Sequence, residues 1–69
     1  MDIKYENELT PREIDVINAI KSGLITDEAI AGQLNISKYT VITHLRSIYD
    51  KFDFNGEQPR AKLVWEVMR

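Results

Sequence analysis

The sequence predicts a small all-α domain of four helices, over about residues 11–22, 27–34, 38–52 and 59–68. Three features predict it. Apolar residues recur three and four apart in separate stretches, and a residue able to cap or open a helix precedes each stretch. No run alternates apolar and polar residues as a half-buried strand would. At 69 residues the chain holds one core and has no room for a buried catalytic cleft. A single core of this size supplies only about 3–5 kcal/mol, so modest stability is expected.

The first helix starts at Leu9-Thr10-Pro11-Arg12-Glu13. Thr10 caps it, Pro11 suits the first helical position and Glu13 completes a capping box. Ile14, Val16, Ile17 and Ile20 follow at helical spacing, and Gly23 is a natural stop. Thr26 or Asp27 caps a short second helix carrying Ala29, Ile30, Ala31 and Leu34. The turn is Asn35-Ile36-Ser37: Asn35 tolerates a left-handed backbone, Ile36 plugs the core and Ser37 caps the next helix.

That third helix has two faces. Val41, Leu45, Ile48 and Phe52 form an inward stripe, while Tyr39, Ile42, Thr43, Arg46 and Asp50 point outward, with Lys38 at the start. A face that is merely solvated rarely holds Tyr39 and Ile42, although an exposed surface is the plain alternative. Asp53-Phe54-Asn55-Gly56 breaks the pattern, and Pro59 opens the last helix. There Ala61, Val64, Trp65 and Met68 form one stripe, with Leu63 and Val67 on a neighbouring one. So broad an apolar surface is expected to be covered on both sides. One side packs on the first helix, and Leu63, Val64, Trp65, Val67 and Met68 are candidates for a dimer interface; a purely core role for the stripe stays open. Residues 1–8 read as a polar N-terminal arm and 9–69 as the domain.

Composition removes several classes. There is no cysteine and His44 is the lone histidine, so neither a disulfide framework nor a zinc site has its ligands, and no metal or cofactor is expected. No nucleophile elbow or phosphate-cradling glycine loop occurs, which argues against an enzyme. The start is polar and acidic and no apolar run reaches membrane length, so a cytoplasmic location and no membrane partner are expected. The net charge of −2 is the wrong sign for binding phosphates, but it is unevenly distributed. Residues 1–35 hold three basic side chains against seven acidic, whereas residues 36–69 hold six against four. The basic half contains the third helix.

These residues match a known pattern. Leu9-Thr10-Pro11-Arg12-Glu13, Ile30-Ala31, Leu34, Ile36-Ser37, Thr40-Val41, Thr43-His44-Leu45, Ile48-Tyr49 and Lys51-Phe52 resemble the LuxR-type (GerE-like) helix-turn-helix domain, over about residues 9–65. The resemblance implies a bacterial or phage transcription regulator with four helices. The third lies in the major groove of double-stranded DNA, and the fourth usually mediates a homodimer that reads an inverted-repeat operator. Carried onto this chain, it makes Lys38, Tyr39, Thr40, Ile42, Thr43, Arg46 and Lys51 the candidate DNA-binding residues. Arg46 is suited to guanine O6 and N7, and Ile42 or Thr43 to a thymine methyl.

Three departures stand out. The segment between Gly23 and Ile30 is one residue longer than usual, Ile42 stands where lysine is common, and Asp53 stands where glycine usually ends the helix. Acidity and Ile42 keep an alternative open: a helix-turn-helix protein that binds another regulator or RNA polymerase instead of DNA.

Overall fold

The computed structural model describes residues 8–54 and 56–68. The expected arm, apart from Glu8, lies outside them, as does Asn55 of the expected turn. Four helices follow in order: α1 (Pro11–Lys21), α2 (Asp27–Leu34), α3 (Lys38–Phe52) and α4 (Pro59–Met68). The sequence placed all four within a residue, the one difference being Ser22, which caps α1 rather than extending it.

Each boundary has a local cause. The Thr10 hydroxyl accepts from the Glu13 N–H at 3.2 Å, and the Glu13 carboxylate accepts from the Thr10 N–H at 2.9 Å, closing the capping box. Gly23 ends α1 at φ +101°, a backbone that a side chain resists. Thr26, not Asp27, caps α2, accepting from the Ala29 N–H at 3.2 Å. Asn35 is left-handed at φ 56° and ψ 46°, and both its own N–H and that of Ile36 return to the Ala31 carbonyl. These bonds tighten the link between α2 and α3. Asp53 is left-handed too, at φ 60°, and so fills the position usual for glycine at a small cost in stability. Gln58, at φ 56° just before Pro59, is a third such residue that nothing in the sequence announces.

The core joins all four helices. Val16, Ile17 and Ile20 of α1, Ile30 of α2, Val41, Leu45 and Ile48 of α3, and Leu63 of α4 are fully buried. Helix α1 packs against each of the other three, and α2 packs on α3. Phe52 closes the end of α3, with Phe54 edge-on to its ring at 5.5 Å. One sequence expectation needs correction: Leu63 and Val67 are buried within the chain and are not offered to a partner. They face inward because one stripe of α4 must seal the core, and theirs is the stripe in the core cluster.

Candidate nucleic-acid interface

Helix α3 separates its two faces cleanly. Val41, Leu45, Ile48 and Phe52 are buried, while Lys38, Tyr39, Thr43, Arg46 and Asp50 are exposed and Ile42 is half-buried. Tyr39 is 77% exposed, an unusual position for a large aromatic ring on a folded surface. The N-terminal half of α3, from Lys38 to Arg46, therefore forms a projecting ridge. Thr40 is half-buried and belongs to the cap: its N–H donates to Ser37 Oγ at 3.0 Å, and the two hydroxyls share a hydrogen bond of 2.8 Å. The Thr43 hydroxyl donates back to the Tyr39 carbonyl at 3.2 Å.

The ridge is braced from beneath. Arg12 donates to the Leu34 carbonyl at 3.0 Å, placing a cation at the C-terminal end of α2, where the helix dipole favours it. Its other nitrogen pairs with Asp15 at 3.1 Å. At the opposite end of α2, Glu28 pairs with Lys38 at 3.0 Å across the surface. The hydrogen bond between them pushes the Lys38 ammonium up and the Glu28 carboxyl down from their ordinary values. A phosphate approaching Lys38 therefore meets a carboxylate of this chain beside it.

Lys51 is placed elsewhere. Its Nζ donates to Glu13 Oε1 at 2.6 Å, on the side of α3 that meets α1 and away from the ridge. Glu13 is 2% exposed. Burial by itself pushes its carboxyl up, but hydrogen bonds from Lys51, Ser47 and the Thr10 backbone outweigh that effect and hold it below its ordinary value. Among the described residues Arg46 makes no ion pair, so its guanidinium is presented to whatever docks on the ridge.

The sequence reading gave Arg60 no role, yet it ties α4 to the helix-turn-helix. Its guanidinium donates to the Ile25 carbonyl at 3.0 Å, to the Tyr49 hydroxyl at 3.2 Å and to the Asp27 carboxylate. Burial pushes this group down, and the bonds to Tyr49 and Asp27 more than restore it. These partners lie 11 to 35 residues away, so no local spacing reveals the arrangement. Arg60→Ala is expected to destabilise the domain by about 1–2 kcal/mol, since solvent partly screens the side chain. Arg60→Lys should recover little, because an ammonium cannot form the three-way fork. Urea titrations of both variants check this.

On the outer side of α4, Trp65 is 62% and Met68 52% exposed, and Ile25, 47% exposed, extends the same surface. Val64 is half-buried beside them. Of the expected interface residues, Val64, Trp65 and Met68 thus share one outward-facing groove with Ile25. No helix among the described residues is long and apolar enough to cross a membrane.

Comparison with known proteins agrees with this architecture. The family model for bacterial regulatory proteins of the luxR family (GerE) matches residues 7–63. Over 61 residues the chain is 33% identical to the HTH-type transcriptional regulators MalT of Klebsiella pneumoniae subsp. pneumoniae and of Cronobacter sakazakii, covering 88% of this chain and 7% of each relative. It is 35% identical over 63 residues to the transcriptional regulatory protein YdfI of Bacillus subtilis, covering 91% of this chain and 29% of that one. The chain thus spans less than a third of these relatives. No solved structure matches significantly. With the family model covering most of its length and its helix-turn-helix intact, this chain belongs to the luxR family of bacterial regulatory proteins.

Proposed function

We propose that this chain is the DNA-binding domain of a transcription regulator and that it acts by laying the N-terminal half of α3 in the major groove. The observation that carries this reading is the exposed ridge of Tyr39, Thr43 and Arg46 on a helix whose opposite face is wholly buried. Such a helix is held rigidly enough to present side chains to base edges. Arg46 addresses a guanine or a phosphate, Lys38 a phosphate, and Tyr39, Ile42 and Thr43 the groove floor. Thr40 shapes the helix start, and Lys51 has a structural role. The test is a binding titration against fragmented bacterial DNA at several salt concentrations. Binding that weakens steeply with salt is expected. Failure to retain any duplex overturns the proposal.

The working form is a homodimer through Val64, Trp65, Met68 and Ile25, reading an inverted repeat. Two observations support it. An exposed tryptophan and methionine beside Ile25 form an apolar surface that a second copy would remove from water. The described residues measure 27 Å at their longest, short of the ~34 Å between successive major-groove faces, so one copy reads one half-site. Trp65→Glu is expected to weaken self-association about thirtyfold or more, as loss of a central aromatic anchor does, with helical content unchanged. Sedimentation and circular dichroism measure the two. A wild-type protein that stays monomeric even on an inverted repeat rules the dimer out.

A docking role on another regulator or RNA polymerase remains the competing reading. The exposed Tyr39 and the Lys38–Glu28 pair are what favour it. Capture of a protein partner that depends on Tyr39 and Ile42, with no DNA retained, is its signature.

A further inference from the structure

Resting on the proposed homodimer and the insertion of α3, we infer that Arg60 and Tyr49 set the half-site spacing that the dimer accepts. The dimer face lies on α4 and the ridge on α3, yet α4 joins the fold chiefly by packing on α1. Its two buried residues, Leu63 and Val67, lie along one line of the helix. Apolar contact is non-directional, so that line fixes the distance of α4 from the core better than its tilt. The directional bonds come from Arg60. Its Nε donates to the Tyr49 hydroxyl of α3 at 3.2 Å, one terminal nitrogen to the Ile25 carbonyl at 3.0 Å, and the other to the Asp27 carboxylate at the start of α2. A planar guanidinium held at all three nitrogens admits one orientation of its fork. Its position gives the bond to Tyr49 a further meaning. Arg60 stands one turn before Val64 of the proposed dimer face, and Tyr49 one turn after Arg46 of the ridge.

Two-fold symmetry gives this bond leverage. Each copy carries the same relation between α4 and α3, so a change of tilt enters the separation of the two ridges twice. A turn of duplex is about 34–36 Å and 10–10.5 base pairs, so one base pair moves a half-site by about 3.4 Å along the axis and about 35° around it. A dimer whose α4 is fixed against α3 engages one spacing with both ridges and loses the second ridge at any other. A dimer whose α4 tilts follows the displaced half-site. Spacing selectivity is then set by residues that stand outside the reading ridge.

The test compares spacings. Wild-type protein selects a half-site from a random-sequence pool, which is built into inverted repeats differing by single base pairs in separation and into a duplex holding one copy. Fluorescence anisotropy at fixed salt reads affinity, and sedimentation reads self-association. The wild type is expected to lose about tenfold or more when the best separation changes by one base pair, because the second ridge no longer engages. Arg60→Ala and Tyr49→Phe, both checked for unchanged helical content, should lose about threefold or less for the same change. Tyr49→Phe removes only the hydroxyl and should keep its affinity for the single half-site and its self-association. The readout is a ratio for one protein on two duplexes, so a general loss of fold stability cancels from it. A preference as sharp in Tyr49→Phe as in the wild type overturns the role of Tyr49, and one equally sharp in Arg60→Ala overturns the whole inference while leaving the dimer intact. Flattening that appears only with loss of self-association also overturns it, since both residues then merely support the dimer face. A wild type indifferent to spacing overturns the dimer reading and this inference with it. Failure to select any duplex overturns the DNA-binding proposal itself.

Discussion

Lys51→Met is expected to lower the unfolding free energy by about 2–4 kcal/mol, because it leaves the Glu13 carboxylate buried without its cation. The Glu13 side chain is 3% exposed and that of Lys51 28%, so the pair is shielded far better than the exposed pairs of this surface. A domain of this size has only about 3–5 kcal/mol in total, so most of it is at stake. Removing Lys51 leaves the bonds from Thr10 and Ser47, which is why the lower part of the range is included. Equilibrium urea unfolding measures the loss.

The pH dependence of the same group has a definite sign. In the wild type the Glu13 carboxyl sits below its ordinary value. Its contribution is therefore complete above the unfolded value of about 4.3 and is lost as pH falls through the folded value. Glu13→Gln should flatten this acid limb. In Lys51→Met, burial is no longer opposed by the ammonium and drives the carboxyl upward. Acidification then relieves the buried charge, so the penalty of the variant shrinks toward pH 4. Thermal melts between about pH 3.5 and 7 separate the three proteins. Equal acid limbs in the wild type and Glu13→Gln would refute the assignment.

Reversing the charge at Arg46 is expected to weaken DNA binding about a hundredfold, and at Lys38 about tenfold. The order follows from what each cation does in the free protein. Arg46 has no ion pair among the described residues and stands in the ridge, so its full interaction goes to DNA. Lys38 is exposed and paired with Glu28, whose negative charge beside it reduces its gain on binding a phosphate. For the same reason Glu28→Gln should strengthen binding. Each lost phosphate contact reduces the salt slope by about one unit, whereas a lost base contact leaves it unchanged. Slopes measured for the variants thus tell which kind of contact each cation makes. Binding that survives Arg46→Glu and Lys38→Glu together would remove the ridge from the interface.

Most of the fold was legible in the sequence, and the reason is locality. A capping box spans three residues, a left-handed turn one, and an amphipathic stripe repeats within a single helix. Thr10, Asn35 and Ser37 each act on neighbours within four residues, and each sits where the spacing placed it. The outward and inward stripes of α3 were equally readable, because 3.6 residues per turn fixes which side chains share a face. So were the exposed positions of Tyr39 and Arg46.

The cations were less legible. Charge counting in the second half of the chain treated Lys38, Lys51 and Arg60 alike, yet Lys51 is held by a residue 38 positions away and Arg60 by Asp27, 33 positions away. Nor could periodicity choose between the two apolar stripes of α4. Leu63 and Val67 turned inward and Trp65 and Met68 outward because α1 covers one side of the helix and leaves the other open. The sequence by itself determined four helices, caps for the first three and the outward face of the third. Tertiary structure alone decided which charges that face retains and which side of α4 remains exposed, because both depend on contacts between helices distant along the chain.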